Sequence, residues 1–502
     1  MFVDLSEIVD GSKLDFDLCI IGAGAAGITL AREHAGSAAK ICLLEAGGFD
    51  YESEVQALYE GEVSGIEYLP LDVVRLRYFG GTTNHWAGQS LPLDPLDFRH
   101  REWVEASGWP ISYTEFASYL PRAQSVCKLG TPDFAWNTWK DKAGFPEFPL
   151  AGGDFEPVVL RFPEPVTRFG EAYRDDVEKA SNVTCILHAN VLRVDTNTSG
   201  THATAVELAG IGNRRVIVSA RFFIVATGGI ENARLLLLSG PQGGPGLGNE
   251  NDQVGRYFME HPNFDTSEVV LSDVTALRYL AQPYINLDDQ PFRLDFQLSA
   301  QRQAELEILN HSAFLVSATP APGKEFMSKA MAYASRSWNS LGRTLGLLSE
   351  TKTFKMRVRL EIPPRYESRV KLSRERDFLG LQQADVSMIL GEQETRTVAA
   401  VHEAFAHKIG SQQLGRMRVD QNAIKQLSPE DLGWQIHHCG GTRMSSSPRT
   451  GVVDENCKIH GVDNVYVAGS SVFPTGGHAN PTMNLLALTL RLSDHMKEKL
   501  AL

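Results

Sequence analysis

Two histidines and a cysteine stand in a row near the C-terminal end of the chain, in the segment HHCGGTRM at His437–Met444. These residue types could bind a metal ion, form a nucleophilic or redox pair, or supply a base for proton transfer. A second polar segment, PTGGHANPTMN, follows at Pro474–Asn484. Which chemistry applies depends on what the rest of the chain binds.

A metal site in the first segment is disfavoured by the spacing of its side chains. In an extended strand successive side chains alternate between two faces, so His437, His438 and Cys439 cannot all reach one ion. A Cys439–His438 pair is disfavoured for the same reason. The six cysteines of the chain form no Cys-x-x-Cys pair, and a small thiol in an apolar segment is usually buried and unreactive. We therefore expect no metal.

The N-terminal end of the chain carries a dinucleotide-binding pattern. An apolar run at 16–21, FDLCII, leads into GAGAAG, a helix-like segment and a second apolar run that ends on Glu45. Gly22 permits a tight turn, Gly24 lets the backbone approach a pyrophosphate, and Gly27 lets helix and strand pack closely. Glu45 stands where a carboxylate accepts from ribose hydroxyls and repels a 2′-phosphate. The pattern predicts FAD or NAD rather than NADP.

Two later segments repeat parts of this pattern. The segment RFFIVATGGIENARLLLLS, around Phe222, indicates a buried strand, a glycine turn and a helix, and VDNVYVAGSS indicates another strand and turn at Val465–Ser470. An NAD domain is usually one continuous block, whereas a large flavin extends along a domain built from separated segments. The dispersal favours FAD.

Length and composition set further limits. The chain has 502 residues, 43% of them hydrophobic, which is typical of a globular protein of two domains. A formal charge of −13 without a basic run argues against nucleic acid or anionic lipid as the main partner. No signal-peptide core is visible, and no stretch approaches the ~20 apolar residues that span a bilayer. We expect a cytoplasmic enzyme that acts on a small molecule without a membrane partner.

The chain resembles the glucose-methanol-choline (GMC) oxidoreductases over nearly its whole length. The order and spacing of eight segments carry the resemblance: DLCIIGAGAAGITLAREHA, FGGTTNHWAG, SGWPISYTEFASYL, ATGGIENARLLLLS, VGRYFMEHP, SRVKLS, HHCGGTRM and PTGGHANPTMNLLAL. The resemblance implies an FAD-dependent enzyme that moves hydride from an alcohol carbon to flavin N5. The elements NHW and NPT are most similar to the branch of pyranose oxidases and glycoside 3-oxidases or 3-dehydrogenases.

The fold that this resemblance implies is of mixed α/β and α+β class. A Rossmann-like FAD-binding domain is assembled from separated segments, and a substrate domain on a mixed or antiparallel sheet covers the flavin. Polar residues near Pro320 to Asn339 predict a loop that could act as a lid. The predicted division is 1–90, 176–262 and 429–502 for the FAD-binding domain, and 91–175 and 263–428 for the substrate domain.

By the resemblance, His438 takes the position of the catalytic histidine and Asn480 that of its paired histidine or asparagine. Alcohol oxidation needs a base because hydride leaves readily only as the oxygen becomes an alkoxide, and histidine titrates near neutrality. The two side chains would hold one substrate hydroxyl between them. Their neighbours His437 and His478 are expected to take no direct part.

The loop GGTTNHWAG is expected to lie against the flavin ring. Its small residues allow close approach, and its backbone N–H groups can donate to the ring's polar edge. In pyranose oxidases the histidine before this tryptophan carries the flavin covalently; here Asn84 replaces the usual threonine before His85, and we expect a non-covalent contact. The residues expected to contact FAD are Gly22, Gly24, Ala25, Ala26, Gly27, Glu45, Ala46, Gly81, Thr82, Thr83, Asn84, His85, Ala87, Val191, Ala226, Thr227, Gly228, Gly469, Ser470, Asn480, Pro481 and Thr482.

Several alternatives stay open at the level of sequence. The substrate is expected to be a sugar or glycoside hydroxyl, with a non-sugar alcohol or an aminoglycoside as the alternative, and O₂ or another acceptor reoxidises the flavin. An NAD-linked dehydrogenase and a non-catalytic flavin-binding protein are less favoured, and the oligomeric state is open. The motif VGRYFMEHP receives no chemical role. The candidates for the substrate pocket are Gln297, Arg359, Glu361 and Arg365.

Overall fold

Three β-sheets and the helices packed on them make up the computed structural model. The expected lid at Pro320–Asn339 lies outside the described residues, so its role stays a prediction. The structure describes residues 1–130, 133–148, 150, 154–212, 214–265, 267–272, 277–282, 284–318, 353–420, 422, 424 and 432–501.

The first sheet has eight strands among the described residues and is largely parallel. Its central strands are buried apolar runs such as Leu18–Ile21 and Ile41–Leu44, as expected of parallel strands covered on both faces. Two antiparallel pairings extend one side of the sheet. The strand order is Phe2–Asp4, Val183–Leu187, Ile41–Leu44, Lys13–Ile21, Arg215–Val225, Ala203–Ala209 and Asn190–Thr196, with Val465–Val467 also paired to Arg215–Val225.

Two helices begin directly after glycine turns at the carboxyl ends of parallel strands. Ala25–Glu33 follows the strand Lys13–Ile21, and Gly229–Leu237 follows Arg215–Val225. A third helix, Pro481–Leu500, begins after Asn480, with proline at its first position, where no N–H is needed. Helix N-termini at this edge of a sheet can bind the phosphates of a nucleotide.

The second sheet has nine strands in the described part of the chain, and its strand pairings are antiparallel. One face packs on the helix Glu392–Ser411, where the rings of Phe296 and Phe405 stack with centroids 5.0 Å apart. Side chains alternate along a strand, so Arg359 lies on the face opposite to the core residue Val358. The strands are Phe155–Arg161, Pro262–Phe264, Ser267–Leu271, Ile285–Leu287, Gln290–Leu298, His311–Ser317, Thr353–Leu360, Gly415–Val419 and Leu432–Trp434.

A small third sheet joins segments that are far apart in sequence. The strand Gly61–Val63 pairs with Gln382–Ser387, which in turn pairs with Arg369–Arg376. Arg234, on the helix Gly229–Leu237, donates to the carbonyl of Gln382 at 2.8 Å. The sheet therefore ties the expected substrate-domain segment 263–428 to the nucleotide-binding part. The division into two domains stays a prediction.

The remaining helices are short, and two of them, Tyr113–Ala117 and Leu120–Cys127, pack on the C-terminal helix Pro481–Leu500. Within the described ranges, every helix is too short or too polar to cross a bilayer. All six cysteines are free and buried. The short helices are Ser53–Gln56, Pro95–Phe98, Tyr113–Ala117, Leu120–Cys127, Trp136–Ala143, Phe169–Ala172, Arg174–Lys179 and Ala300–Leu306. The 3₁₀ turns are Leu5–Glu7, Ala57–Tyr59, Gly81–Asn84, Arg278–Ala281 and Ser470–Val472.

Candidate active site

A cavity of about 530 Å³ runs from the N-terminal glycine turn to the two C-terminal polar segments. It lies at the carboxyl edge of the parallel sheet, where doubly wound folds bind their ligands. Most of the residues expected to contact a cofactor line it: Gly22, Gly24, Ala25, Ala26, Glu45, Ala46, Gly81, Thr82, Thr83, His85, Ala87, Val191, Ala226, Thr227, Gly228, Gly469, Ser470, Asn480, Pro481 and Thr482.

Two residues of the expected cofactor set do not line the cavity. Gly27 lies behind the turn, where a Cβ would come within 1.8 Å of the carbonyl oxygen of Gly22. Its role is to let the helix approach the strand. Asn84 braces its loop instead: its amide nitrogen donates to the carbonyl of Phe79 at 2.8 Å, and its amide oxygen accepts from the Gly170 N–H at 3.1 Å.

The glycine turn has the geometry of a phosphate-binding loop. Gly22 has a φ of 104°, and a Cβ there would lie 2.6 Å from the carbonyl oxygen of Ala226. Gly24 lines the cavity, and a Cβ there would meet no atom within 4 Å, so its backbone faces open space. An extended ligand can therefore approach the N-terminus of the helix Ala25–Glu33 closely.

Glu45 is held at the end of its strand by backbone donors. Its carboxylate accepts from the N–H groups of Ala23 and Gly47, each at 3.1 Å. Burial raises the pKa of Glu45, and the hydrogen bonds from Gly47 and Ala23 oppose that shift. Since Glu45 also lines the cavity, its position fits recognition of ribose hydroxyls.

His85 lies on the exposed side of the loop around the turn Gly81–Asn84. Its Nε2 is 2.9 Å from the hydroxyl of Tyr78. The loop is shaped by Gly80, whose φ of 97° requires glycine. His85 lines the cavity and already has a polar partner there.

The histidine beside Asn480 is His437. Its Nε2 lies 3.1 Å from the Asn480 amide nitrogen, and both side chains line the cavity. Arg359 donates to the amide oxygen of Asn480 at 3.1 Å. Because a guanidinium can only donate, the atom it contacts must be the oxygen, and so the Asn480 NH₂ group faces His437. His437 Nε2 then accepts and carries no proton.

His438 has a different set of contacts. Its Nε2 lies 2.8 Å from the hydroxyl of Tyr68, and its carbonyl accepts from Ser470 Oγ at 2.5 Å. A Cβ on Gly229 would come within 2.6 Å of the His438 Cβ. His438 and Asn480 both line the cavity, so the expectation that they hold one substrate hydroxyl between them stays a prediction. The ring nitrogen of His438 is bound to Tyr68.

The backbone just before the two histidines has an unusual conformation. Ile436 has a φ of 62°, a left-handed conformation that is rare for a β-branched residue. Such a turn breaks the simple alternation of an extended strand, and His437 is the ring that lies against Asn480. Strained backbone of this kind is concentrated at functional sites.

Two residues of the motif VGRYFMEHP, Glu260 and His261, contact His437. His261 Nδ1 lies 2.9 Å from His437 Nδ1, and the Glu260 carboxylate accepts from the His437 N–H and, at 3.3 Å, from the Gln435 N–H. Burial raises the pKa of Glu260 to about 8. The sequence of this motif does not specify its role, since the role depends on a contact between distant segments.

Both histidines are neutral at pH 7. Burial, followed by the charges of His261, Arg359 and His438, lowers the pKa of His437 well below its ordinary value. Burial and the Arg75 guanidinium lower the pKa of His438 to about 3. A depressed histidine pKa keeps one ring nitrogen unprotonated over the physiological range. At His437 that nitrogen is Nε2, facing Asn480.

The four candidates for the substrate pocket and His478 are not among the residues that line the cavity. Arg359 contacts the site through Asn480. The other three have partners elsewhere: Glu361 pairs with Arg101, Arg365 with Glu394, and Gln297 with His478 at 2.9 Å. Among the described residues, no cluster of three or more His, Cys, Asp or Glu side chains could hold a metal ion.

Comparison with known proteins supplies a family and several distant relatives. The family model described as GMC oxidoreductase matches residues 364–489. The fructose dehydrogenase large subunit of Gluconobacter japonicus is 24% identical over 83% of this chain and 79% of its own. The 2-methyl-1,2-propanediol dehydrogenase of Mycolicibacterium austroafricanum is 24% identical over 96% of this chain and 95% of its own. The paromamine 6′-oxidase of Streptomyces fradiae is 24% identical over 82% of this chain and 77% of its own.

Solved structures share the fold at low sequence identity. A formate oxidase structure covers 98% of this chain and 99% of its own, with a TM-score of 0.58 at 14% identity. The structure of pyridoxine 4-oxidase from Mesorbium loti covers 96% of this chain and 99% of its own, with a TM-score of 0.59 at 14% identity. The predicted fold class, a Rossmann-like domain combined with further sheets, is confirmed.

Proposed function

We propose that this chain is an FAD-dependent GMC oxidoreductase that acts on CH–OH groups and oxidises a hydroxyl of a sugar or glycoside to the carbonyl. The observation that carries the proposal is the His437–Asn480 pair, 3.1 Å apart in the wall of the cavity that begins at the glycine turn. A base and a hydrogen-bond donor at that spacing can hold one hydroxyl.

The residues at the other end of the cavity fit FAD. Gly24 leaves room for a pyrophosphate at the helix N-terminus, and Glu45 presents a carboxylate to a ribose. The turns at Gly228 and Gly469 line the stretch between them and the histidines. When bound, FAD supplies the acceptor for the hydride that leaves the alcohol carbon.

His437 and Asn480 divide the work of activating the hydroxyl. A bound hydroxyl would replace the hydrogen bond between Asn480 and His437. The neutral His437 would then accept the hydroxyl proton at Nε2, and the Asn480 NH₂ group would donate to the oxygen as negative charge develops on it. Arg359 holds the Asn480 oxygen and adds a positive charge behind the pair. Glu260 and His261 fix the backbone and the ring of His437.

The test of the proposed function is anaerobic reduction of the bound flavin by a panel of alcohols. Methyl β-D-glucopyranoside and D-glucose should bleach the yellow colour, and NADH-linked activity should be absent. Paromamine belongs in the panel, because one relative is named a paromamine 6′-oxidase. A yellow protein that no alcohol bleaches would contradict the proposal. Admission of air to the reduced protein then shows whether O₂ or another acceptor reoxidises it.

Gly24→Val is expected to weaken FAD binding about 10- to 100-fold without unfolding the protein. A Cβ at this position meets no protein atom within 4 Å, and the branched side chain would occupy space that the cofactor needs. Flavin retained after gel filtration measures the effect. Gly212→Val is the matched control, since a Cβ there also meets nothing within 4 Å but Gly212 lies outside the cavity wall. Equal flavin content in both variants would contradict the assignment.

Denaturation is expected to release the flavin from the polypeptide. His85 Nε2 is already 2.9 Å from the Tyr78 hydroxyl. Asn84 precedes it, at the position where pyranose oxidases with a covalently bound flavin usually have threonine. After acid precipitation and centrifugation the yellow colour should be found in the supernatant. Colour that stays with the pellet would show a covalent bond, and His85→Ala would then identify its site.

A further inference from the structure

Arg359 is a buried cation without an ion pair among the described residues. It is 1% exposed, and its partners are three carboxamide oxygens: Asn480 Oδ1 at 3.1 Å, Gln89 Oε1 at 3.2 Å and Gln435 Oε1 at 3.5 Å. Taking a charge out of water is costly, and the nearby Asp295 and Glu260 carboxylates act on Arg359 without forming an ion pair with it. An arrangement that keeps such a cation beside the proposed catalytic pair calls for a functional reason.

Arg359 fixes which end of each amide faces the cavity. A guanidinium has no acceptor, so Gln89 and Gln435 must present their oxygens to it and turn their NH₂ groups elsewhere. Both glutamines line the cavity. Within the part of the chain that the structure describes, neither NH₂ group has a hydrogen-bond partner. Two oriented donors are thus available to a ligand in the cavity.

These donors lie close to the reacting hydroxyl. All three amide oxygens meet one guanidinium, so Gln89 and Gln435 lie in the same part of the cavity as Asn480, where the proposed function places the reacting hydroxyl. The adjacent cation polarises each amide and strengthens its N–H donors. A substrate oxygen on a carbon next to the one being oxidised would fall within their reach.

We propose that Gln89 and Gln435, oriented by Arg359, form a specificity subsite that binds a hydroxyl oxygen next to the reacting carbinol, so that the enzyme prefers vicinal diols and polyols to monofunctional alcohols. This inference rests on the proposed function and names the residues that recognise the hydroxyl next to the reacting one. A site built around hydrogen-bond donors discriminates against an analogue that lacks the matching oxygen, because the donors are then left unpaired.

The first test compares two ring alcohols that differ by one hydroxyl. Anaerobic flavin reduction is measured with trans-1,2-cyclohexanediol and with cyclohexanol. The wild-type protein should reduce its flavin with a kcat/KM about 10- to 100-fold higher for the diol. Equal values, or a preference for cyclohexanol, would overturn the inference while leaving the proposed function standing. If neither these alcohols nor methyl β-D-glucopyranoside bleached the flavin, the proposed function would fail and this inference with it.

Glutamate variants then locate the preference. Gln435→Glu and Gln89→Glu keep the side-chain length and an oxygen toward Arg359 but remove the NH₂ donors. Each should lower the ratio of diol to cyclohexanol kcat/KM about 10-fold or more. Gln242→Glu, on an exposed loop outside the cavity wall, is the matched control and should keep the wild-type ratio. A ratio unchanged in both cavity variants would overturn the assignment.

Discussion

His437→Ala is expected to lower kcat/KM for alcohol oxidation by about 10²- to 10⁴-fold, the range that a positioned general base contributes. The variant removes the ring nitrogen that faces Asn480 at 3.1 Å. FAD should stay bound, because the glycine turn and Glu45 lie at the other end of the cavity. Stopped-flow flavin reduction under anaerobic conditions measures the loss.

The matched variant is His438→Ala, which changes the adjacent histidine in the same cavity wall. The Nε2 of His438 is bound to the Tyr68 hydroxyl at 2.8 Å, so the loss of rate should be much smaller than in His437→Ala. A larger loss in His438→Ala would return the role of base to His438. Flavin content must be compared first, since Gly229 packs directly on His438.

Arg101→Leu is expected to lower the free energy of unfolding by about 3–5 kcal/mol, because it leaves the Glu361 carboxylate buried without its partner. The two side chains are 1% and 0% exposed, and their two hydrogen bonds measure 2.7 and 2.8 Å. The pair joins the segment after Pro95–Phe98 to the large antiparallel sheet. Urea unfolding followed by fluorescence and by flavin release measures the change.

An exposed ion pair supplies the control for this stability experiment. Arg418 and Glu268 lie 2.9 Å apart on neighbouring strands of the same sheet, with side chains 80% and 49% exposed. Arg418→Leu should cost less than about 1 kcal/mol, since solvent screens exposed pairs. A similar decrease in the free energy of unfolding in both arginine variants would show that burial does not determine how much the Arg101–Glu361 pair stabilises the fold.

The nucleotide-binding end of the cavity could be predicted from sequence because its signals are local. A buried strand, a glycine turn, a helix and Glu45 follow one another within a short segment, and each has a direct physical reason. The turns at Gly228 and Gly469 repeat that local pattern. All of these positions line one cavity.

The choice between the two histidines could not be predicted in the same way. Ile436, directly before them, has a φ of 62°, which no sequence pattern specifies for an isoleucine. The support from Glu260 and His261 depends on a contact between segments more than a hundred residues apart in the chain. Sequence identifies such a motif but not its partner.

The place of Arg359 in the site could not be predicted from the sequence either. On its strand it alternates with core residues such as Val358, a pattern typical of a solvated face. The sheet instead places it behind Asn480, Gln89 and Gln435, fully buried. Only the packing of the antiparallel sheet against the cavity turns an ordinary strand arginine into part of the site.

The most direct measurement of the central claim is chemical rescue of the two histidine variants by added imidazole during anaerobic flavin reduction. If His437 is the base, imidazole should restore a large part of the rate in His437→Ala, with saturation, and should not accelerate His438→Ala. Rescue confined to His438→Ala would contradict the assignment of the base to His437.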